Sequence, residues 1–375
     1  MNKENFQTFF DCGFSKIRAG TFNTKNNNKN FFSESKFFTD QLTLESKIQN
    51  IITSLEKDSD EYINTVNLMI DSPKMLSVNI SFSKRLDGSK LKKTNIQFLV
   101  QEAKQQILKY YTDYNIAHIV INNYKIDNVD YSYLPEEIKC NFISLDIFFI
   151  CLPEKLVFYF KDIFSKFNIS INQIICSSYA KSINYKNKLN LTDYTSFVDV
   201  GFNKTSVISY YNNKILSLEV LPVGGNNITK DISKILETDL SLSENLKINF
   251  DQNNMISNDH DFSFETLQEI IFARTEEILE LSFNSSGPNS YMKSPFSMVL
   301  MGEGSKILDN QHTNKISFAK VINFLEETTE DICRSGFNYL TKLNDQEVIM
   351  IPKKLIKQGF FEKLFHLFKW ISILL

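Results

Sequence analysis

The chain is poor in the residues that most often announce a chemistry. It has one tryptophan and four isolated histidines, and its five cysteines (Cys12, Cys140, Cys151, Cys176, Cys333) are scattered with no CxxC pair. Isolated histidines give little support to a metal cluster or to His-based catalysis. An odd set of thiols, three of them in apolar surroundings, fits free buried cysteines in a reducing cytoplasm. Charge of one sign is also lacking: 41 basic and 44 acidic residues leave a net −3, so no overall field favours nucleic acid. The opening Met1-Asn-Lys-Glu-Asn lacks the apolar run of a secretory signal before Phe9. What is present is a well-mixed, 42% hydrophobic sequence, expected to fold, and 375 residues exceed the usual single core. The many Asn, Lys, Ile and Phe residues follow the codon bias of an AT-rich genome, and Thr24–Asn30 reads as a polar loop.

The most informative stretch is Phe197-Val-Asp-Val-Gly-Phe-Asn-Lys-Thr-Ser206. An apolar strand delivers Asp199 to its end, Gly201 permits a tight turn, and Thr205 begins a return strand. Backbone N–H groups, a hydroxyl and a carboxylate then converge on a volume suited to a phosphate tail and its Mg²⁺. Taken alone, one D-x-G is more often an ordinary hairpin, here with Asp199 as turn-former. The device recurs, however, in Phe9-Phe-Asp-Cys-Gly-Phe-Ser-Lys-Ile-Arg18, with Asp11, Gly13, Ser15 and Lys16 in the same layout. A third glycine turn follows a strand in Ser297-Met-Val-Leu-Met-Gly-Glu-Gly-Ser-Lys306. Their order describes a nucleotide held between two related halves.

Along the chain, residues 6–22 and 31–38 read as strands, Thr43–Leu55 as a helix and Asn64–Asp71 as a buried strand, a β-β-α-β start to an α/β domain. Residues 74–160 read as an inserted module: strands at Met75–Ser81, Ala117–Asn122, Lys125–Tyr133 and Asn141–Cys151, a helix at Thr94–Tyr111, and a helix opened by Pro153 and reaching Phe167. A strand to Cys176 and a helix from Ser177 to Asn187 return to the main domain. The second half repeats the first, with a hairpin over 196–219. Helices follow at Thr229–Glu237 and at Ser241–Leu246, the latter with Ser241 or Ser243 as a possible cap. The 251–262 segment reads as loop. Phe264–Phe283 is the clearest helix, with Leu267, Ile270, Ile271, Ala273, Ile278 and Leu281 at helical spacing. Val321–Leu340 reads as another helix and Val348–Ile351 as a last strand.

These residues resemble the actin/Hsp70/sugar-kinase ATPase superfamily and, within it, the FtsA family of bacterial cell-division proteins. Leu221-Pro-Val-Gly-Gly-Asn-Asn-Ile-Thr-Lys-Asp-Ile232 is similar to the family's P-V-G-G-x-x-[IV]-T-x-D-I run, Ser243-Glu-Asn-Leu-Lys247 to its A-E-x-L-K helix, and Glu269–Ile278 to its I-x-A-R-x-E-E-I helix. Ser177-Ser-Tyr-Ala180 resembles the A-S-x-x-A segment after the inserted module. The resemblance implies a two-lobed α/β fold: a first lobe from 1–73, 161–195 and 328–352, an FtsA-type insert at 74–160, a second lobe from 196–220 and 291–327, and its small subdomain at 221–290. It implies ATP with Mg²⁺ as cofactor. Asp11, Gly13, Ser15 and Lys16 would form the first phosphate loop, Asp11 facing Mg²⁺ through water. Asp199, Gly201, Asn203, Lys204 and Thr205 would form the second, with Gly225 in the turn that follows. Glu244 and Lys247 would touch ribose and adenine, though as a pair they also read as a solvated helix couple. Gly302 and Gly304 would let the backbone approach the adenosine.

The second loop departs from the family's D-x-G-G-G-[ST]-[TM]-D at Phe202, Asn203 and Ser206, and Glu303 replaces the middle glycine of the adenosine turn. Glycine's positive φ and bare Cα suit close approach to phosphate, and Phe supplies them poorly. With no positioned general base in view, ATP binding with at most weak hydrolysis is expected.

The run Gly359–Leu375 is a second signal. On a helical wheel Phe361, Leu364, Phe365, Phe368, Ile371 and Leu375 share one face, with Glu362, Lys363, His366 and Lys369 opposite. A spanning helix needs about 20 mostly apolar residues, so this shorter one reads as an interfacial membrane helix, or alternatively as a terminal helix docked on the core. Lys353, Lys354 and Lys357 precede it, each worth ~1 kcal/mol near an anionic surface. The expected function is an ATP-binding, self-polymerising division protein. It would tether FtsZ filaments to the cytoplasmic face of the inner membrane at the septum and recruit later division proteins. Arg274 would help hold the FtsZ C-terminal peptide, or serve as a helix ion-pair partner. The alternatives are a PilM-like homologue of a pilus or secretion assembly and a superfamily ATPase or kinase.

Overall fold

The computed structural model describes residues 6–25, 29–36, 42–135, 138–250, 263–286, 297–307 and 321–341. Two five-stranded sheets of the same construction organise it. In the first, β1 (Phe6–Cys12), β2 (Lys16–Asn23) and β3 (Asn30–Lys36) form an antiparallel meander, and β4 (Thr65–Ile70) and β9 (Ser170–Cys176) continue parallel to β1 in the order β3-β2-β1-β4-β9. In the second, β10 (Thr195–Val200), β11 (Thr205–Tyr211) and β12 (Lys214–Leu221) repeat the meander. Strands β13 (Ser297–Met301) and β14 (Val321–Phe324) follow parallel to β10, giving β12-β11-β10-β13-β14. The chain duplication legible in the two D-x-G runs is thus a duplication of whole sheets. Both lead strands, β1 and β10, lie inside their sheets, so both faces are covered and their sequences are apolar runs.

Helices α1 (Leu44–Ser59), α3 (Glu154–Ser165), α4 (Ser177–Lys188) and α8 (Thr329–Thr341) cover the first sheet. Helix α1 starts where Thr43 accepts from Ser46 N and stops at Asp60 in the left-handed region, φ 56°. Its Ile48, Ile51, Ile52 and Leu55 join Phe9, Phe10, Leu68 and Met69 in one core that also takes in Tyr179 and Ala180 of α4 and Phe197, Ile208 and Tyr210 of the second sheet. Each such side chain buried stabilises by about 1.5–3 kcal/mol. Because α4 contributes to both sheets' packing, the two sheets share one hydrophobic core.

The second sheet's other face carries α5 (Gly225–Ile235), α6 (Leu240–Ile248) and α7 (Phe264–Asn284). A third sheet, β5-β8-β6-β7, with α2 (Lys93–Tyr110) against it, builds its own core from Leu99, Ala103, Ile107, Leu145 and Ile147. Its strands are β5 (Leu76–Arg85), β6 (Tyr114–Ile126), β7 (Val129–Tyr131) and β8 (Phe142–Pro153). It is fixed to the first lobe by His118 of β6, whose Nε2 accepts from Cys176 N at 2.8 Å while its ring Nδ1 lies 2.6 Å from Tyr339 Oη.

Several expectations are corrected. Val321–Leu340 is not one helix: Val321–Phe324 is strand β14, and the helix starts only at Thr329. The mostly apolar Val321–Phe324 pairs in parallel with β13 at the sheet edge, and the polar stretch 326–328 separates it from the helix. Residues 117–122 and 125–133 are not two strands but one long β6 and a short β7, turned by Asp127 and Asn128 at φ 43° and 71°. Two successive left-handed residues make a two-residue hairpin turn. Helix α5 begins at Gly225, four residues before Thr229, and α6 is capped by Asp239, which accepts from Leu242 N, not by Ser241 or Ser243. On α7, Ala273 and Leu281 face outward, and Thr275, Leu279 and Ser282 are buried with Leu267, Ile270, Ile271 and Ile278. The 251–262 loop, the 348–351 strand and the 359–375 helix, with Phe361, Leu364, Phe365, Phe368, Ile371 and Leu375, lie outside the described residues.

Candidate functional site

Each sheet ends its lead hairpin at the cleft between the lobes, and the two turns are built alike. Gly13 N donates to Lys16 O at 3.0 Å; Gly201 N donates to Lys204 O at 2.9 Å. A Cβ on either glycine would stand 3.0 Å from that same carbonyl, so a side chain there would push the turn open by a few tenths of an ångström. Neither glycine has a positive φ, and neither do Phe202 and Asn203. The second loop therefore closes in the same way as the first, with Phe202 and Asn203 in ordinary backbone conformations.

Between the turns lies a cleft with an empty volume of about 720 Å³, its open mouth included. Of the residues expected there, Asp11, Gly13, Ser15, Asp199, Gly201, Lys204 and Gly302 line it. Sequence reasoning did not single out Arg18, Asp71, Lys181, Lys306 and Glu327, which line it too. Arg18 is the register partner of Asp11 across the first hairpin, a neighbour that strand alternation alone would have found. Lys181 follows the Ser177–Ala180 segment by one residue and shares its helix. Glu327 lies between β14 and α8, inside the stretch whose sequence reads as one helix.

The cleft's charges are paired with one another. Asp11 accepts from Arg18 Nη1 at 3.2 Å and from Ser177 Oγ at 2.6 Å. Arg18 also reaches Glu303 at 2.8 Å, and Lys16 lies 3.2 Å from Glu303 and 3.3 Å from Glu34. Lys204 is 3.0 Å from Asp71, and Lys181 is 2.8 Å from Asp199 and 3.1 Å from Glu327. Glu327 Oε2 further accepts from Gly302 N at 2.7 Å, while its Oε1 is buried without a hydrogen-bond partner. Burial opposes charge on Lys181, but Asp199 and then Glu327 outweigh it and raise the ammonium's pKa above the ordinary lysine value. Burial opposes charge on Asp71 as well, and Lys204 first, with the Cys176 thiol and Lys181, outweighs it and holds that carboxyl down. Glu303 is desolvated too, yet Arg18 and Lys16 bring its pKa down to about 2. At Glu327 burial wins: Lys181 only partly offsets it and the pKa stays raised.

The other expected residues face protein. Thr205 Oγ1 donates to Val223 O, and Asn203 Oδ1 accepts from Asn226 Nδ2, which fasten the second turn to the head of α5. Gly225 O accepts from Lys247 Nζ at 3.1 Å, and Lys247 lies 2.6 Å from Glu244, whose carboxylate also accepts from Thr229. Glu244 and Lys247 are buried and bind α6 to α5 behind the loop; they are not a solvated pair. Gly302, at φ +90°, packs so closely that a Cβ would meet Asp199 Oδ1 at 2.5 Å, and one on Gly304 would meet Val200 Cγ1 at 2.7 Å. Arg274 is held by Asp231, 2.6 Å from its Nε, and by Glu277.

A metal-bound triphosphate does not fit this arrangement as built. Asp11, the carboxylate expected to face the metal through water, is occupied by Arg18 and Ser177, and Asp199 of the second loop is occupied by Lys181. Among the described residues no three acidic, histidine or cysteine side chains are grouped to share an ion. The basic groups that would meet phosphate are likewise engaged by acids.

A family model described as cell division protein FtsA matches residues 196–283, which run from the second hairpin through most of α7. The chain is 24% identical over 267 residues to cell division protein FtsA of Buchnera aphidicola subsp. Schizaphis graminum, an alignment covering 67% of this chain and 62% of that relative. It is 23% identical over 356 residues to the cell division protein FtsA of Buchnera aphidicola subsp. Acyrthosiphon pisum, covering 85% and 84%. Among solved structures, the PilM-PilN type IV pilus biogenesis complex superposes with a TM-score of 0.61 at 13% identity, over 87% of this chain and 89% of that one. A diol dehydratase-reactivating factor in nucleotide-free form does so at 0.50 and 9%, over 90% and 100%. The duplicated sheets flanking a cleft are the actin-like ATPase fold. Within that fold, the chain is an FtsA-like protein.

Proposed function

We propose that the chain is a cell-division scaffold that joins FtsZ filaments to the cytoplasmic face of the inner membrane. The observation that carries this reading is the FtsA match over 196–283, because it covers the second loop and the α5–α7 layer together. In this reading the first lobe is formed by 1–73, 161–195 and 328–352, the insert by 74–160, the second lobe by 196–220 and 291–327, and its small subdomain by 221–290. The FtsZ C-terminal peptide docks on that subdomain beside Arg274, where an acidic group competes with Asp231 and Glu277 for the guanidinium. The 359–375 segment lies in the membrane interface by its Phe361–Leu375 face, and the body self-associates and recruits later division proteins. ATP enters the cleft between the two loops. Mg²⁺ takes no part, since the carboxylates have basic partners already.

Co-sedimentation with liposomes containing anionic lipid tests the tether. The full chain is expected to pellet with the vesicles, and a chain ending at Gln358 to stay in the supernatant; equal pelleting would sink the tether. FtsZ C-terminal peptide should bind both. The TM-score of 0.61 to the pilus complex favours a second reading, a PilM-like assembly protein. Lack of peptide binding together with lack of a lipid requirement would move the assignment there.

A further inference from the structure

In an actin-like cleft the two lobes need something between them. Here the gap is bridged by side chains. Ion pairs run from Lys16 and Arg18 of the first lobe to Glu303 of the second, from Lys204 of the second to Asp71 of the first, and from Lys181 of the first to both Asp199 and Glu327 of the second. They cross at the level of the Gly13 and Gly201 turns, which is where phosphates and their cation would have to join the lobes.

Lys181 is the centre of the set. Its ammonium lies on Asp199 and Glu327, and its side chain is 6% exposed. Asp11, the other hairpin's carboxylate, faces it through the cleft. A cation bound to Asp199 and flanked by Asp11 occupies the position that a divalent ion would take between the two loops. The amide of Gly302 completes the arrangement by donating to Glu327, so the third turn is drawn into the same clasp. A hydrated divalent ion would have to expel a lysine that is already desolvated and doubly paired, and removing one member of such a buried set leaves the others uncompensated.

We infer that this ion-pair set, with Lys181 in the metal's place, holds the lobes closed without metal or nucleotide. The inference rests on the actin-like, FtsA-like reading and changes what the ligand is for: ATP modulates a cleft that is already shut. It follows that a triphosphate must break protein pairs to gain basic contacts, so its binding is weak and indifferent to EDTA.

Small-angle scattering and limited proteolysis on the full chain test this. The wild-type radius of gyration and cleavage rate are expected to be the same with no ligand, with ATP and EDTA, and with ATP and Mg²⁺. Lys181→Met should expand the molecule and raise the cleavage rate roughly tenfold or more. MgCl₂ alone should leave the wild type unchanged, and Lys181→Arg should stay compact. Wild-type compaction that requires ATP with Mg²⁺ overturns the inference and leaves the scaffold reading standing. So does a Lys181→Met protein as compact as wild type. If Lys181→Met does not fold, the wild-type series and Lys181→Arg decide. Failure of the scaffold reading would be seen separately, in the liposome and FtsZ-peptide measurements.

Discussion

The first and second hairpins share one turn and use it at different depths. In both, a glycine N–H closes on the carbonyl of the lysine three residues later, and that lysine reaches across the cleft. Lys204 ends on Asp71, with both side chains at 10% exposure or less. Lys16 ends on Glu303 and Glu34, which are 35% and 38% exposed. The carboxylates differ as well. Asp11 finds its partner within its own hairpin, in Arg18, whereas Asp199 takes Lys181 from the opposite lobe. A repeated backbone device therefore supplies one carboxylate paired within its own lobe and one that is paired only when the lobes meet. The same local sequence specifies a turn, and the surrounding lobe decides what the turn's charges are worth.

The largest expected consequence is at the deep side. Lys204→Met leaves Asp71 buried with its backbone and thiol donors but no direct ion-pair partner, which should cost about 3 kcal/mol. A urea-unfolding series would measure it. A loss no greater than that of Lys16→Met would remove the distinction between the hairpins.

That distinction was only half visible in the chain. The glycine turns, the repeat and the core helix α7 were legible, because tight turns and helical spacing are local properties. The partners were not. Lys181 sits on a helix whose other residues look like packing, and Glu327 sits in a polar break that apolar neighbours disguised as helix. Which acid meets which base depends on how two sheets approach one another, and nothing within a few residues of Lys204 records Asp71. Arg18 is the exception. Its register opposite Asp11 follows from the hairpin itself.

The hydroxyls give a smaller contrast. Thr205 is fully buried and donates to Val223 O at 2.8 Å, so Thr205→Val should cost about 1 kcal/mol by orphaning a carbonyl. Its counterpart Ser15 is half-buried and lines the cleft, and Ser15→Ala should change stability by less than about 0.5 kcal/mol. Equal losses in thermal or chemical unfolding would mean that the first turn is as tightly built into its lobe as the second.

The shallow side makes the finest test. Lys16→Met at neutral pH should cost no more than about 0.5 kcal/mol, because its acids are partly solvated and Arg18 still holds Glu303. The pH dependence is more telling. Glu303 titrates near 2 in the folded chain, below its ordinary value of 4.5. Its pairing therefore stabilises the fold above the ordinary value and is lost as pH falls from there toward 2. Glu303→Gln should flatten the fall in unfolding midpoint across that window, and Lys16→Met should flatten it less, since Arg18 is the stronger of the two bases acting on this carboxylate. An unchanged slope in Glu303→Gln would assign the acid sensitivity to Asp71 instead, whose carboxyl is also held down, and would place the labile contact in the deep hairpin.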